Sequence, residues 1–368
     1  MPRQMFKVLA VTAAVSAALG GVQSASAQSA QLVAAAKAEG ELTVIALARS
    51  WCGYGKLIDA FKAKYGIKVN ELNPDAGSGD ELEAIKANKD NKGPQAPDVI
   101  DVGLSFGPQA KAAGLLQPYK VANWATIPDS TKDAQGYWYG DYYGVLAFEV
   151  NTDLISKVPA DWSDLLKSDY KNSVALAGDP RSANQAIQGV YAAGVAMGGK
   201  DAATASAAGL KFFADMNKAG NFVPVTGKAA SLAQGTTPIV IRWDYNALAD
   251  RDALKGNPKV AVVVPKTGVV AGVYVQGISA YAPHPNAAKL WMEFLYSDEG
   301  QIGWLDGYCH PIRFTDLVAK NKLPKAMLDK LPPAAGYAKA VFPTLEDQNA
   351  SKDIITKQWG VVGADVAK

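Results

Sequence analysis

Two cysteines and two histidines are the whole supply of soft ligands and near-neutral bases in 368 residues. A zinc site of Cys and His needs three or four such residues at motif spacing, whereas Cys309 and His310 are simply neighbours. Long apolar runs are just as scarce. Beyond the amino-terminal stretch none approaches the roughly 18 residues that crossing a bilayer takes, so the mature chain is expected to be soluble. Lysines and arginines are nowhere clustered with interleaved aromatics, which excludes the charge footprint of a nucleic-acid groove. No Walker A pattern occurs, so nucleotide hydrolysis is left to a partner.

What is present begins with an address. Arg3 and Lys7 precede an Ala-rich apolar segment from Val8 to Gly21, and Ala25-Ser26-Ala27 follows before Gln28. These are the three zones of a secretory signal peptide over residues 1–27, which implies a periplasmic protein. Losing Arg3 and Lys7 with it leaves 35 basic residues against 35 acidic ones. An exported chain can also oxidise its thiols, and a Cys52–Cys309 bridge would tie the first loop to the carboxyl-terminal third. Chain entropy alone would make it worth about 4 to 5 kcal/mol. Two free thiols are the alternative.

The stretch from Leu42 to Gly66 organises the remainder. Leu42 to Ala48 is a short apolar run that fits a buried strand. The loop Arg49-Ser50-Trp51-Cys52-Gly53-Tyr54-Gly55 follows, and then Leu57, Ile58, Phe61 and Tyr65 recur at helical spacing. In open α/β sheets ligands sit outside the carboxyl ends of strands, so this loop should face a cleft. Further strands are expected over Lys68–Leu72, Asp98–Val102, Tyr143–Val150, Val174–Ala177, Pro238–Arg242, Val260–Val264 and Gly272–Tyr281. Ser78 with Glu81, and Ser182 with Gln185, have the spacing of capping boxes, which predicts two helix starts. Such starts collect unpaired N–H groups and suit an anionic ligand group. Pro285 to Tyr296 reads as an amphipathic helix.

The order of these pieces resembles a periplasmic solute-binding protein of an ABC importer, in the group with receptors for ferric iron, polyamines, thiamine and aminoalkylphosphonates. The resemblance rests on Ala34-Ala35-Lys37-Glu39-Gly40 before the first strand and on Trp138-Tyr139-Gly140 leading into Asn151-Thr152-Asp153. It rests also on His284-Pro285 running through Ser297-Asp298-Glu299-Gly300-Gln301. It implies an α/β fold of two lobes, type II-like, joined by two crossing segments near Tyr143–Val150 and Pro265–Tyr274. One lobe would take residues 28–147 with 268–315 and the other 148–267, with helices from 316–368 packing on both. It implies a monomer that catalyses nothing, needs no cofactor, and passes a small polar solute to a permease and its ATPase subunits.

Candidate ligand contacts follow from both readings. Arg49, Trp51 and Tyr54 occupy the first loop; Ser78 and Gly79 stand at one helix start and Ser182 and Asn184 at the other. Arg242, Trp243, Asp244 and Tyr245 end a strand of the second lobe, where Asp244 would accept an ammonium group and Trp243 would add a cation–π contact. Tyr274 belongs to a crossing. Together they suggest an amine-bearing or zwitterionic solute. A ferric receptor of this family would be expected to use a pair of tyrosines near the second crossing, where Tyr245 stands with Trp and Asp beside it. Gly103-Leu104-Ser105-Phe106-Gly107 matches the nucleophile elbow of a serine esterase, with His284 and His310 downstream. In the receptor reading Ser105 is a hydroxyl contact.

Overall fold

The computed structural model describes residues 30–331 and 339–367, so the expected export signal lies outside the described residues. Helix α1 (residues 30–39) stops at Gly40, whose φ of 76° closes it. Strand β1 (Glu41–Ile45) pairs in parallel with β2 (Lys68–Leu72). It ends three residues before the apolar run does, because Ala46 takes a left-handed φ of 62° and turns the chain out of the strand. The Trp51–Gly53 turn then leads to α2 (Tyr54–Tyr65), with Leu57, Ile58 and Phe61 buried on one stripe as the spacing predicts.

Helix α3 (Ser78–Ala87) is followed by β3 (Val99–Gly103), α4 (Phe106–Ala112) and the short β4 (Leu116–Gln117). The organising strand of the molecule is β5 (Tyr139–Asn151). Its first half pairs with β9 (Ala271–Ser279), which pairs in turn with β3; its second half pairs with β7 (Ile239–Trp243) and β8 (Val260–Val263). β7 carries the parallel β6 (Val174–Leu176), giving the order β3-β9-β5-β7-β6. One strand thus belongs to two strand neighbourhoods, and the join falls within the Tyr143–Val150 crossing. Both β5 and β9 are buried on both faces apart from Tyr143, which explains their apolar character.

The helices α5 (Asn184–Ala196), α6 (Ala202–Lys218), α7 (Ala229–Ala233) and α8 (Asp244–Leu254) cover the β6–β7 side. Gly194 and Gly209 let α5 and α6 approach so closely that a methyl on either would strike the partner backbone. Helix α9 (Pro285–Leu295) buries Ala287, Leu290, Trp291, Phe294 and Leu295, the expected stripe, and α10 (Asp298–Asp306) follows. The cysteines are bridged: Cys52 and Cys309 have Cα atoms 5.4 Å apart across a separation of 257 residues. The short β10 (His310–Pro311) after Cys309 pairs with β5, so this bond fastens the first loop beside the crossing strand. The carboxyl-terminal helix Leu345–Gln358 packs on α5 and α6, and its buried Lys352 reaches across to α4.

The two capping boxes form differently from expectation. In α3 the box sits one residue earlier, with Gly77 as N-cap and its N–H donating to Asp80 at 3.0 Å. Ser78 and Glu81 face inward instead, accepting from the Gly103 and Asp101 N–H groups of β3 at 3.1 and 2.9 Å. In α5 the N-cap is Ala183, which has no side chain to cap with. The Asp179 carbonyl accepts from the Ser182 and Ala183 N–H groups and shapes that turn.

Candidate functional site

The carboxyl ends of β1, β2, β6 and β7 converge on one cavity of about 630 Å³, a size suited to a small solute. The turn after β1 brings Ala46 and Trp51, and the loop after β2 brings Asn73 to Gly77, followed by the first turn of α3. On the facing wall stand Ala177 to Asp179 after β6, the turn Ser182–Gln185 that opens α5, and Thr226 to Ala230. Arg242, Asn246 and Asp250 complete that wall, while Asp101 and Tyr274 lie between the two. The walls touch at the rim. Gly79 N–H donates to the Ser182 carbonyl at 3.1 Å, and Lys228 pairs with Asp75 at 2.7 Å.

The lining is polar and under-satisfied. Asn184 Oδ1, Gln185 Oε1, Arg242 Nε and Asn246 Nδ2 are buried without a hydrogen-bond partner among the described residues, and Asp101 Oδ1 accepts from no N–H or hydroxyl there. Orphaned polar groups are costly, and those on this cavity are groups that a polar ligand would partner. Arg242 is held between Glu149, at 3.2 Å, and Asp250. Burial pushes the Glu149 carboxyl upward against the opposing pull of Arg242.

The structure brings six of the candidate residues to this cavity: Trp51, Ser78, Ser182, Asn184, Arg242 and Tyr274. The others are placed elsewhere. Arg49 turns outward to Asp59 and Glu71, at 2.5 and 2.9 Å. Tyr54 is buried beneath the floor, its hydroxyl donating to Asp101 Oδ2 at 2.8 Å. Gly79 is occupied by its rim contact with Ser182.

Trp243 is buried with its ring over Gly272, and its Nε1–H donates to the Tyr274 hydroxyl at 3.3 Å. Asp244 is fully buried and accepts from Val145 N–H at 3.0 Å, which pins β5 rather than offering a carboxylate to a solute. Tyr245 packs edge-on against Trp51, centroids 5.5 Å apart. Trp243 ends β7 on the strand face opposite Arg242, and α8 begins at once, which turns Asp244 and Tyr245 into the core. Residues further along α8, Asn246 and Asp250, reach the cavity instead.

Ser105 is 1% exposed with unstrained helical dihedrals, and Lys352 Nζ donates to its carbonyl at 3.0 Å. His284 is engaged with Asp98 at 2.9 Å and His310 stacks on Tyr143, so the esterase constellation does not assemble. Among the described residues no group of three or more His, Cys, Asp or Glu is disposed to hold a metal ion. Sequence reasoning missed Glu81, Asp101, Asn246 and Asp250. A signal for one existed: Asp101 interrupts the apolar strand Val99-Ile100-Asp101-Val102, and a carboxylate inside such a run needs a reason.

Residues 95–339 match the family model described as bacterial extracellular solute-binding protein. A protein of Salmonella typhimurium described as 2-aminoethylphosphonate-binding and periplasmic is 28% identical over 259 residues, 68% of this chain and 71% of its own. Among solved structures, the periplasmic binding protein AfuA from Actinobacillus pleuropneumoniae, with fructose-6-phosphate bound, superimposes with a TM-score of 0.64 at 21% identity. The match covers 87% of this chain and 98% of that one. Iron-bound HitA from Pseudomonas aeruginosa gives 0.65 at 17% identity, over 87% and 99%. These likenesses establish the two-lobe fold of periplasmic binding proteins.

Proposed function

The chain belongs to the bacterial extracellular solute-binding proteins, and on that premise we propose that it is the receptor of an ABC importer for a small amine-bearing or zwitterionic solute. It would work as a monomer, close two lobes over the solute, and pass it unchanged to a permease driven by ATPase subunits. Residues 28–147 with 268–315 would form one lobe and 148–267 the other, with 316–368 packed against them. The observation that carries this reading is the cavity itself. It lies between two helix starts on facing walls and holds unpartnered acceptors and donors together. A zwitterion supplies both kinds of partner. Closure then follows because the solute bridges walls that only the shut state brings within reach.

The reading is supported by the 2-aminoethylphosphonate-binding description of the Salmonella typhimurium relative. The test is a thermal-shift screen with 2-aminoethylphosphonate, 4-aminobutyrate, putrescine, fructose-6-phosphate and ferric citrate. At a hundredfold excess over Kd a bound solute adds about 2.7 kcal/mol, which for a chain of this length is a rise of about 4 °C. A shift with an amine-bearing member supports the proposal; a shift with ferric citrate alone supports the iron reading instead. Hydrolysis of an ester substrate by the pure protein would contradict a receptor that does no chemistry.

A further inference from the structure

Three carboxyls, Glu81, Asp101 and Asp141, are at least 95% buried at and beneath the cavity floor. The groups that face this cluster are acids and phenols. Tyr54 comes from α2, Tyr142 from β5, Tyr245 from α8, Tyr274 from β9, and Tyr296 from the end of α9. Among the described residues no lysine or arginine is a leading influence on any of the three carboxyls. Buried carboxylates without a cation must be neutralised by protons or by a charge brought from outside. Burial first, and the charge of Asp101 second, push Glu81 and Asp141 upward, and burial pushes Asp101 the same way.

The hydrogen bonds show which carboxyl stands at the cavity. Asp101 Oδ2 accepts from the Tyr54 and Tyr142 hydroxyls at 2.8 and 2.6 Å, and Tyr142 in turn accepts from Trp51 Nε1–H at 2.6 Å. Asp141 lies deeper, accepting from Gln276 Nε2–H at 3.0 Å, and its carboxyl is the remaining side-chain partner of Asp101. Asp101 Oδ1 has no N–H or hydroxyl donor among the described residues. From the opposite wall Asn184 supplies a second buried acceptor without a partner, its Oδ1, while its amide engages Tyr274. Both acceptors lie on one face of β3. Asn184 fills the space a side chain on Gly103 would take, and Gly103 and Asp101, two apart on β3, share a strand face.

We propose that Asp101 and Asp141 share a proton, and that a solute's ammonium group displaces it by docking between Asp101 Oδ1 and Asn184 Oδ1. The ammonium arrives and stays protonated; the shared proton leaves to solvent, so the site's charge is conserved. This rests on the receptor reading above and names the ligand class at its cationic end. An organic ammonium carries several N–H groups, which match acceptors from two walls.

The experiment is calorimetric titration with probe pairs that differ only in the amine: 2-aminoethylphosphonate against ethylphosphonate, and 4-aminobutyrate against butyrate. Each is run in buffers of different protonation enthalpy, which counts protons. The amine member is expected to bind at least tenfold more tightly, to release a proton, and to weaken by up to about tenfold from pH 8 to pH 6. Asp101→Asn should abolish the amine preference, whereas Asp141→Asn should keep the preference and lose the proton release. Equal affinity within a pair, or an Asp101→Asn variant that weakens both members alike, overturns the inference while leaving a solute receptor standing. Binding of no member, nor of any solute in the thermal screen, overturns the receptor reading and this inference with it.

Discussion

Gly103 ends β3 where the two walls of the cavity meet, and a methyl group there would overlap the Asn184 carboxamide at the start of α5. Asn184 is nearly fully buried and engages Tyr274, so it cannot yield without breaking that contact. Overpacking of this kind costs about 1 to 3 kcal/mol. If β3 and α5 belong to lobes that separate on opening, the cost falls on the closed form alone. Gly103→Ala should then weaken solute binding by about 5- to 150-fold and leave the unfolding midpoint of the solute-free protein unchanged. Titration calorimetry with the solute found by thermal screening, paired with urea unfolding without it, measures both. Should the unfolding midpoint fall by the full penalty while affinity stays constant, β3 and α5 form one rigid unit and the proposed lobe division is refuted.

Other outcomes follow from contacts outside the cavity. Replacing both cysteines with serine removes a cross-link over 257 residues, for which chain entropy allows about 5 kcal/mol; a urea midpoint equal to that of the oxidised protein would contradict it. Burial lowers the Lys352 ammonium to about 8, so the folded state sheds its proton before the unfolded chain does. Stability therefore rises with pH above about 8, and Lys352→Met should remove on the order of 1 kcal/mol of that rise between pH 7 and 9.5. His284 is raised by its bond to Asp98, so its contribution is complete below about pH 6.5 and is lost as pH climbs past the raised value. His284→Ala should accordingly destabilise more at pH 5.5 than at pH 8.5 in denaturant titrations.

Much of the fold is legible in the sequence because its signals are local. The α9 stripe, the Leu57–Phe61 face of α2 and the apolar strands each obey one period, and the structure keeps them. The site is less legible because it depends on where strands end and which way the next residues turn. Arg242, Trp243 and Asp244 are consecutive, yet only Arg242 meets the cavity, since strand alternation puts Trp243 on the other face of β7 and α8, beginning at once, carries Asp244 inward. Ser78 and Glu81 have capping-box spacing but bond to β3, a long-range partner that spacing along one helix cannot reveal. Asp101 was readable only as an anomaly, a charge among Val and Ile, and its tyrosine partners come from α2 and β5 far along the chain.

The rim bond between Gly79 N–H and the Ser182 carbonyl joins one main chain to another. Amide and carbonyl persist whatever side chains are exchanged around them, so the clasp is indifferent to the cargo. Pocket walls could therefore be redesigned for a new guest while this main-chain clasp stays as it is.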